Sequence, residues 1–481
     1  MLPEKAIPDI EDKTRLSYVK AQQKLSQYGT LASAIPVAIV TLLMFIGAAA
    51  QGFWPLTDPA RYQCYALTFW LGSNATRLLP SVQCSFLSLA GSHPAFHMLP
   101  LEYPPLTLLP FSLPLLAPLA YYQVAFAFLM SLVMVFIYWL MLRYGPPGGA
   151  VAFLIFLVIG ACALAPMRYD LLPATCTLLS LIMAHQKHWR MAYVMLAIAV
   201  LLKIYPILLF PAFFIAEQQS TERIYVPADS PLRKLPSHLY RTLLGCVRWR
   251  WSNCLFFIVP LLAVTGFFAL LDFKNAVVSQ FSYFLHRPIQ VESLGGSLLW
   301  LAHLGGLSWR IVYDFGSINM YTSLNGLAAP VLTILFVLVV AYIFWLQWRS
   351  RLTLAQAVIA LTLAFITTGK VFSPQYLIWL IPLLAYTGAF NKAWTILWGS
   401  VSVLTTFIYI AFYSQILNST HIHMPVGFFE VAFVRNILLA LLTLAYLFNW
   451  FRTREQQTIT PQCLELTPPS FSTPFTPQAP E

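Results

Sequence analysis

The sequence predicts an all-α polytopic membrane protein with about ten to thirteen membrane-crossing helices. Hydrophobic residues make up 59% of the 481 residues and charged residues only 9%, and the mean hydropathy is +0.71. A soluble globular domain carries about 25% charged residues. Apolar segments recur from residue 31 to residue 450. Because one compact soluble core could not bury this much apolar surface, we expect lipid to be the solvent for most of the chain.

Ten apolar runs are long enough to be predicted as spans: 31–50, 120–142, 149–166, 171–184, 252–271, 327–346, 353–369, 376–390, 394–414 and 428–450. Two further apolar segments are irregular. Prolines interrupt 104–118, which is too short for a full span and is expected to be a re-entrant or interfacial helix. The segment 191–216 is divided at Lys203-Ile204-Tyr205-Pro206 and is expected to be a hairpin that enters and leaves on one side.

Lys and Arg set the predicted orientation, because these residues are retained on the cytoplasmic side. With a cytoplasmic N-terminus, inner segments carry 19 of the 28 Lys and Arg residues and outer segments carry seven. The inner segments include the N-terminal 1–30, the basic loop 217–251 and a Pro- and Thr-rich tail, 455–481, predicted to be disordered. The long outer loops are 51–103 and 272–326. The net charge of +11 therefore indicates topology rather than a nucleic-acid partner.

The seven Cys residues follow no zinc-binding spacing. Cys64 and Cys84 share the first outer loop, where a disulfide is possible if that compartment is oxidising. His421 and His423 are only weak evidence for a metal, and the sequence predicts no metal site.

Asp58 is the first candidate catalytic residue. Seven of the 17 acidic residues fall in outer loops or at outer helix ends: Asp58, Glu102, Asp170, Asp272, Glu292, Asp314 and Glu430. An ionisable group at a membrane boundary is a candidate functional residue. Asp58 follows the first span within Trp54-Pro55-Leu56-Thr57-Asp58-Pro59, so it could deprotonate a hydroxyl at the bilayer surface. Alternatively, it could simply cap a helix that begins at Pro59.

Three more positions each have a functional and a structural interpretation. Glu102-Tyr103-Pro104-Pro105 indicates a site at the interface and also a helix start with an interfacial tyrosine, and the two interpretations are compatible. Arg168 and Asp170 lie in a very short outer turn and could be a local ion pair without a catalytic role. Lys203 lies in an apolar segment and needs an anionic partner, either a phosphate or a carboxylate, unless it snorkels to the interface.

Two outer loops collect hydrogen-bonding groups, namely His286-Arg287-Pro288-Ile289-Gln290-Val291-Glu292-Ser293 and Lys370-Val371-Phe372-Ser373-Pro374-Gln375-Tyr376. The cations Lys203, Arg287 and Lys370 could converge on one anionic group near the outer leaflet. A lipid phosphate is the natural candidate, because ammonium and guanidinium groups form charge-assisted hydrogen bonds with phosphate oxygens.

These segments together resemble the membrane-embedded glycosyltransferases of the GT-C superfamily, in particular glycosyltransferase family 87. The resemblance covers residues 31–450 and rests on the order of its pieces: the loop with Asp58, Tyr103-Pro104-Pro105-Leu106, Arg168 to Asp170, Lys203 to Pro206, His286 to Ser293, and Ser373-Pro374-Gln375-Tyr376 with Trp379 and Pro382. It implies a GT-C-type bundle with a catalytic first outer loop. Asp58 matches the general base of that family, with Glu102 as the fallback, but Asp58 lacks the close acidic neighbour that the superfamily often has.

The resemblance implies transfer of a hexose, with mannose as the first candidate, from a polyprenyl-phosphate donor to a hydroxyl of a glycolipid or glycan. The implied reaction inverts the anomeric carbon and uses no cofactor. The implied location is the extracytoplasmic face of the plasma membrane, with both termini cytoplasmic. Lys203, His286, Arg287 and Lys370 would bind the donor phosphate, and the expected substrate-binding residues are Tyr103, Arg168, Asp170, Tyr205, Gln290, Glu292, Gln375 and Tyr376. The alternatives are a lipid or sugar transporter or flippase, and an assembly protein without catalysis.

Overall fold

The computed structural model describes residues 8–49, 53–87, 93–227, 229–417 and 424–448. The pair His421 and His423 and the tail 455–481 lie outside these residues, as do residues 1–7 of the N-terminal segment. The expectations stated for them are therefore not addressed by the structure.

Helices make up most of the described chain. In chain order they are α1 (Pro8–Gln27), α2 (Thr30–Ala49), α3 (Asp58–Leu71), α4 (Leu108–Ser112), α5 (Tyr122–Tyr144), α6 (Gly149–Ala161), α7 (Leu171–His185), α8 (Trp189–Leu202), α9 (Phe210–Ser220), α10 (Leu235–Leu244), α11 (Leu255–Phe273), α12 (Ser279–His286), α13 (Leu294–Leu304), α14 (Asn325–Trp348), α15 (Leu354–Thr368), α16 (Tyr376–Tyr386), α17 (Lys392–Phe407), α18 (Tyr413–Leu417) and α19 (Phe428–Leu447).

Six helical stretches among the described residues are long and apolar enough to cross a bilayer: Ala32–Ala49, Leu119–Tyr144, Trp251–Tyr283, Asn325–Trp348, Lys392–Phe412 and Phe428–Leu447. Seven shorter apolar helices accompany them. Only 11% of the residues in the most apolar window of α14 are buried inside the protein. Such an apolar and uncovered surface is stable only against lipid, so the chain is a membrane-embedded helical protein.

Both segments that the sequence marks as irregular depart from a straight helix. The proline-rich stretch after Tyr103 forms a 3-10 turn at Pro105–Thr107, the short α4, and a second 3-10 turn at Leu113–Leu116. The second segment breaks at Lys203, whose backbone is extended (φ −156°, ψ 132°) before the 3-10 turn Tyr205–Leu209. Proline cannot continue a helical hydrogen-bond ladder, which explains why both interruptions contain it.

The chain reverses at Lys203. Lys203 pairs with Asp170, at the start of α7, whereas Glu217 near the end of α9 accepts a hydrogen bond at 2.9 Å from the Tyr193 hydroxyl near the start of α8. α8 therefore leads toward the Asp170 end of the bundle and α9 leads away from it. This is the hairpin expected for 191–216.

The loop 272–326 contains a small sheet that the all-α prediction missed. Its strands are β1 (Ile289–Gln290), β2 (Trp309–Asp314) and β3 (Ser317–Thr322), in the antiparallel order β1-β3-β2. Ile311 pairs with Met320 in the β2–β3 hairpin. Apolar side chains of this sheet, including Ile289, Ile318 and Met320, pack with residues of α13 and α19 in a second core, so the sheet is fixed to the helices.

The main core surrounds α15 and α16, whose side chains are buried along most of their length. Small residues permit close helix contacts there. A Cβ built on Gly160 of α6 would lie 3.0 Å from Ser402 Oγ of α17. An alanine at that position would require the Ser402 side chain to shift by a few tenths of an ångström.

Candidate functional site

Three ion pairs gather where α3, α7 and the turn after α8 meet: Asp58 with Arg168, Glu102 with Arg61, and Asp170 with Lys203. Two of the six residues lie on the first turn of α3, and the others come from the loop before α4, the turn between α6 and α7, and the Lys203 break. We call these six residues the charged cluster. Its side chains are between 0% and 20% exposed, so each charge depends on its partner rather than on water.

Asp58 does not cap its helix. Thr57 is the N-cap of α3, and its hydroxyl accepts a hydrogen bond at 3.3 Å from the backbone N–H of Ala60. The Asp58 carboxylate instead pairs with Arg168, and 18% of its side chain remains exposed. The capping alternative is therefore wrong, and the carboxylate is oriented by a guanidinium at a position that solvent can reach.

Glu102 forms an ion pair with Arg61, which lies one helical turn after Asp58 on α3. The Arg61 guanidinium also lies over the Phe86 ring, 4.5 Å from its centroid. Burial raises the pKa of the Glu102 carboxyl, and the charge of Arg61 offsets part of that rise. The fold thus supplies Asp58 with an acidic neighbour that is distant in sequence.

Asp170 is fully buried and holds Lys203 at the break after α8. Its Oδ1 also accepts a hydrogen bond at 2.6 Å from Trp379 Nε1 of α16. The Lys203 ammonium lies 5.0 Å from the ring centroids of both Tyr169 and Trp379. Two expectations change. Arg168 and Asp170 are not paired with each other, and the partner of Lys203 is a carboxylate, so this lysine is already neutralised without a phosphate.

Arg287 and Lys370 lie beside the charged cluster. Among the described residues Arg287 forms no ion pair, and its buried Nε has no hydrogen-bond partner. Burial raises the pKa of Glu102, and the positive charge of Arg287, like that of Arg61, offsets part of this rise. Lys370 donates to the Leu285 carbonyl at 3.0 Å, and burial followed by the charge of Arg287 lowers the pKa of Lys370. The two cations are thus close enough to repel each other, which an anion between them would relieve.

His286 does not join Arg287. Its side chain is exposed, and Nδ1 lies 2.9 Å from the Ser282 carbonyl of its own helix α12. The expectation that His286 helps to bind a phosphate has no support in this geometry, because neighbouring residues at the end of a helix point in different directions.

Aromatic rings line the interior side of the charged cluster. The rings of Tyr62, Tyr103 and Tyr169 contact one another edge to face, with centroids 5.4 to 5.6 Å apart. Farther along, Tyr205 stacks on Trp379 at 3.9 Å and Tyr376 stacks on it at 4.3 Å. Stacked and edge-to-face rings are rigid and apolar, with polar tips. Tyr62, Tyr169 and Trp379 are each only 1% exposed, so the rings form a rigid, buried wall behind the charges.

Among the remaining predicted substrate-binding residues, Gln375 and Gln290 each have a buried side-chain oxygen without a hydrogen-bond partner. The surroundings of Glu292 are those of a structural residue. Glu292 is fully buried, 3.5 Å from Arg435 of α19, and it accepts a hydrogen bond from the Tyr413 hydroxyl. Arg435 and Asn436 also donate to its backbone carbonyl. Glu292 is therefore a structural residue of the second core and not a substrate ligand.

The turn of the β2–β3 hairpin covers the charged cluster. The Tyr283 hydroxyl donates to the carbonyl of Phe315, and both Phe315 and Gly316 have a positive φ, 48° and 66°. A Cβ built on Gly316 would lie 3.3 Å from Arg61 Nη1 and 3.6 Å from Glu102 Oε1. Only glycine adopts this conformation cheaply and fits this space.

Arg61, Tyr283 and the hairpin turn were not predicted from the sequence to belong to the site. Arg61 lies three residues after Asp58 on a helix, a spacing that places both on one face. The turn carries a Gly between two segments rich in aromatic and β-branched residues, a hairpin signal that the predicted helices around it obscured.

No protein-family model matches the chain, and no curated protein is significantly similar to it. The fold and the charged cluster thus define a class only: a polytopic helical membrane protein with paired charges, two further cations and stacked aromatic rings gathered at one end of its bundle.

Proposed function

We propose that the protein is a membrane glycosyltransferase of the GT-C type. It would transfer a hexose, with mannose as the first candidate, from a polyprenyl-phosphate donor to a hydroxyl of a glycolipid or glycan acceptor. The proposed location is the extracytoplasmic face of the plasma membrane. The observation that carries the proposal is the arrangement of Asp58, oriented by Arg168, on the same helical turn as the Arg61–Glu102 pair and close to the charges of Arg287 and Lys370.

In the proposed reaction the acceptor oxygen attacks the anomeric carbon, and the bond from that carbon to the phosphate oxygen breaks. The acceptor proton passes to Asp58, and the polyprenyl phosphate leaves as the anion. A carboxylate held by Arg168 is preoriented for this proton transfer. One displacement predicts inversion at the anomeric carbon. If Asp58 is not the base, Glu102 is the alternative, and its raised pKa makes it a stronger base than an exposed Glu.

Arg287 and Lys370 are the proposed phosphate ligands. Preorganised cations stabilise the charge that develops on a leaving group. Lys203 has a different proposed role: together with Asp170 and Trp379 it fixes the wall of the site. Gln375 and Gln290 have buried oxygens that sugar hydroxyls would satisfy.

The test uses the purified full-length protein in vesicles, with radiolabelled polyprenyl-phosphate-mannose and a glycolipid extract as acceptor. Wild type is compared with Asp58→Asn and with Glu430→Gln, an exposed acidic residue at the start of α19. Transfer by wild type and by Glu430→Gln but not by Asp58→Asn supports the proposal. Movement of labelled donor across the bilayer without transfer would instead support a flippase.

A further inference from the structure

The loop between α9 and α11 lies at the opposite end of the bundle from the charged cluster. Glu217, close to the end of α9, bonds to Asn253 just before α11 at 2.6 Å and to Tyr193 near the start of α8 at 2.9 Å. Lys203, at the other end of α8, belongs to the charged cluster. α8 therefore separates the two ends, and the loop that carries α10 lies at the end of the bundle away from the charged cluster.

This loop is strongly basic. Five cationic residues lie between Leu232 and Trp251, namely Arg233, Lys234, Arg241, Arg248 and Arg250. No Asp or Glu occurs between Asp229 and Asp272. All five cationic side chains are exposed. Such a concentration of one charge attracts an anionic surface or ligand.

The helix α10 leaves an apolar face uncovered. Leu239, Tyr240, Leu243 and Leu244 are 49%, 64%, 58% and 62% exposed. Their spacing places them on one side of the helix, with Arg241 at its border. A short helix with exposed apolar residues on one side and basic residues beside them lies in a membrane interface, with the apolar face toward the acyl chains.

A groove separates α10 from α9 and α14. Its volume is about 570 Å³, and apolar side chains line nearly all of it, among them Ile215, Leu239, Phe344, Trp345 and Trp348. This volume lies within the range of about 300–1,000 Å³ that is typical of ligand pockets. Leu235 and Pro236 also line the groove. The two residues directly before them in the chain, Arg233 and Lys234, are both exposed.

The groove has fixed walls. Trp348 Nε1 of α14 donates to Thr242 Oγ1 of α10 at 3.3 Å, and Arg349 Nη2 donates to the Ser230 carbonyl at 2.7 Å. Gln347 Nε2 donates to the Ala212 carbonyl of α9 at 2.7 Å. These bonds connect all three helices, so the groove is formed without an occupant.

We propose that this groove binds one anionic phospholipid of the leaflet opposite the charged cluster. One acyl chain occupies the groove between α10 and α14, and the phosphate headgroup contacts Arg233, Lys234 and the other cations of the loop. The apolar lining selects an acyl chain, the basic loop that carries α10 selects an anionic headgroup, and the exposed side of α10 holds both at the depth of the interface. The site is separate from the proposed glycosyltransferase site and does not depend on it.

The test measures lipid binding to the full-length protein in detergent, by native mass spectrometry, with dioleoyl phosphatidylglycerol and dioleoyl phosphatidylcholine as probes. We expect wild type to bind phosphatidylglycerol at least about tenfold more tightly than phosphatidylcholine. The variant Arg233→Gln/Lys234→Gln/Arg241→Gln/Arg248→Gln should lose this preference. The matched control Lys13→Gln/Lys20→Gln/Lys24→Gln/Lys187→Gln removes the same charge from exposed lysines elsewhere and should keep it.

A second variant tests the groove itself. Leu239→Trp fills part of the groove without changing charge, and we expect it to weaken phosphatidylglycerol binding several-fold. Competition by soluble glycerol phosphate as effective as that by the lipid would overturn the acyl-chain assignment. Equal affinity for the two lipids in wild type, or an unchanged preference in the four-cation variant, would overturn the proposal. Thermal unfolding in the same detergent confirms that each variant is folded.

Discussion

Trp379 and Asp170 are 209 residues apart in sequence, and the indole Nε1 donates to the Asp170 carboxylate at 2.6 Å. The same carboxylate oxygen pairs with Lys203. One buried acid therefore connects α7, α16 and the break after α8. Because a buried charge without partners is costly, this connection fixes the positions of all three elements.

Replacing Lys203 alone should be more harmful than replacing it together with Asp170. Lys203→Met leaves the fully buried Asp170 charge with only Trp379, and breaking such a pair costs about 3–5 kcal/mol. In Lys203→Met/Asp170→Asn no uncompensated charge remains, so most of the loss should be recovered. The measurement is thermal unfolding in detergent, with the exposed Lys187→Met as control. Equal destabilisation of the single and double variants would show that the pair is not coupled.

Replacing Gly316 should loosen the β2–β3 hairpin from the charged cluster. Gly316→Ala introduces a Cβ 3.3 Å from Arg61 Nη1 at a residue with φ +66°. Gly306→Ala is the matched control, because Gly306 has φ +100° but nothing within 4 Å of its added Cβ. Both variants place an alanine at a positive φ, where an L side chain is strained, and only the first adds the contact with Arg61.

Hydrogen exchange of residues 309–322 measures this difference. We expect exchange in Gly316→Ala to be several-fold faster than in Gly306→Ala, because the hairpin turn can no longer pack on Arg61 and Glu102. Equal protection in the two variants would mean that the turn does not depend on that contact.

The helices and their interruptions were predictable because they depend on local properties of the sequence. Hydropathy marked α5, α11 and α14, and the prolines with Lys203 marked the two irregular segments. Asp58, Glu102, Arg168 and Lys203 were also identified, since charges are rare in such a chain. Their pairing was not predictable. The choice of Asp58 rather than Asp170 as the partner of Arg168 depends on how α3 packs on the bundle, which no local pattern encodes.

Replacing Arg287 should weaken binding of the donor. The buried Nε of Arg287 has no hydrogen-bond partner among the described residues, and a phosphate oxygen would satisfy it. If the proposed function holds, Arg287→Gln should raise the KM for the polyprenyl-phosphate donor about tenfold or more. Arg310→Gln, an exposed arginine on β2, is the matched control. An unchanged KM in Arg287→Gln would remove this residue from the phosphate site.

Asp58 and Arg168 should differ in the kinetic step that they affect. Asp58→Asn removes the proposed base and should lower kcat by about 10²–10⁴-fold with little change in the donor KM. Arg168 positions that base, so Arg168→Gln should lower kcat less, and Arg168→Lys should recover part of the loss because an ammonium can still pair with the carboxylate. A purely structural Arg168 would give loss of folded protein without this recovery. If instead Asp58→Asn retains full kcat and Glu102→Gln loses it, Glu102 is the base and Asp58 serves to orient the turn at Arg168.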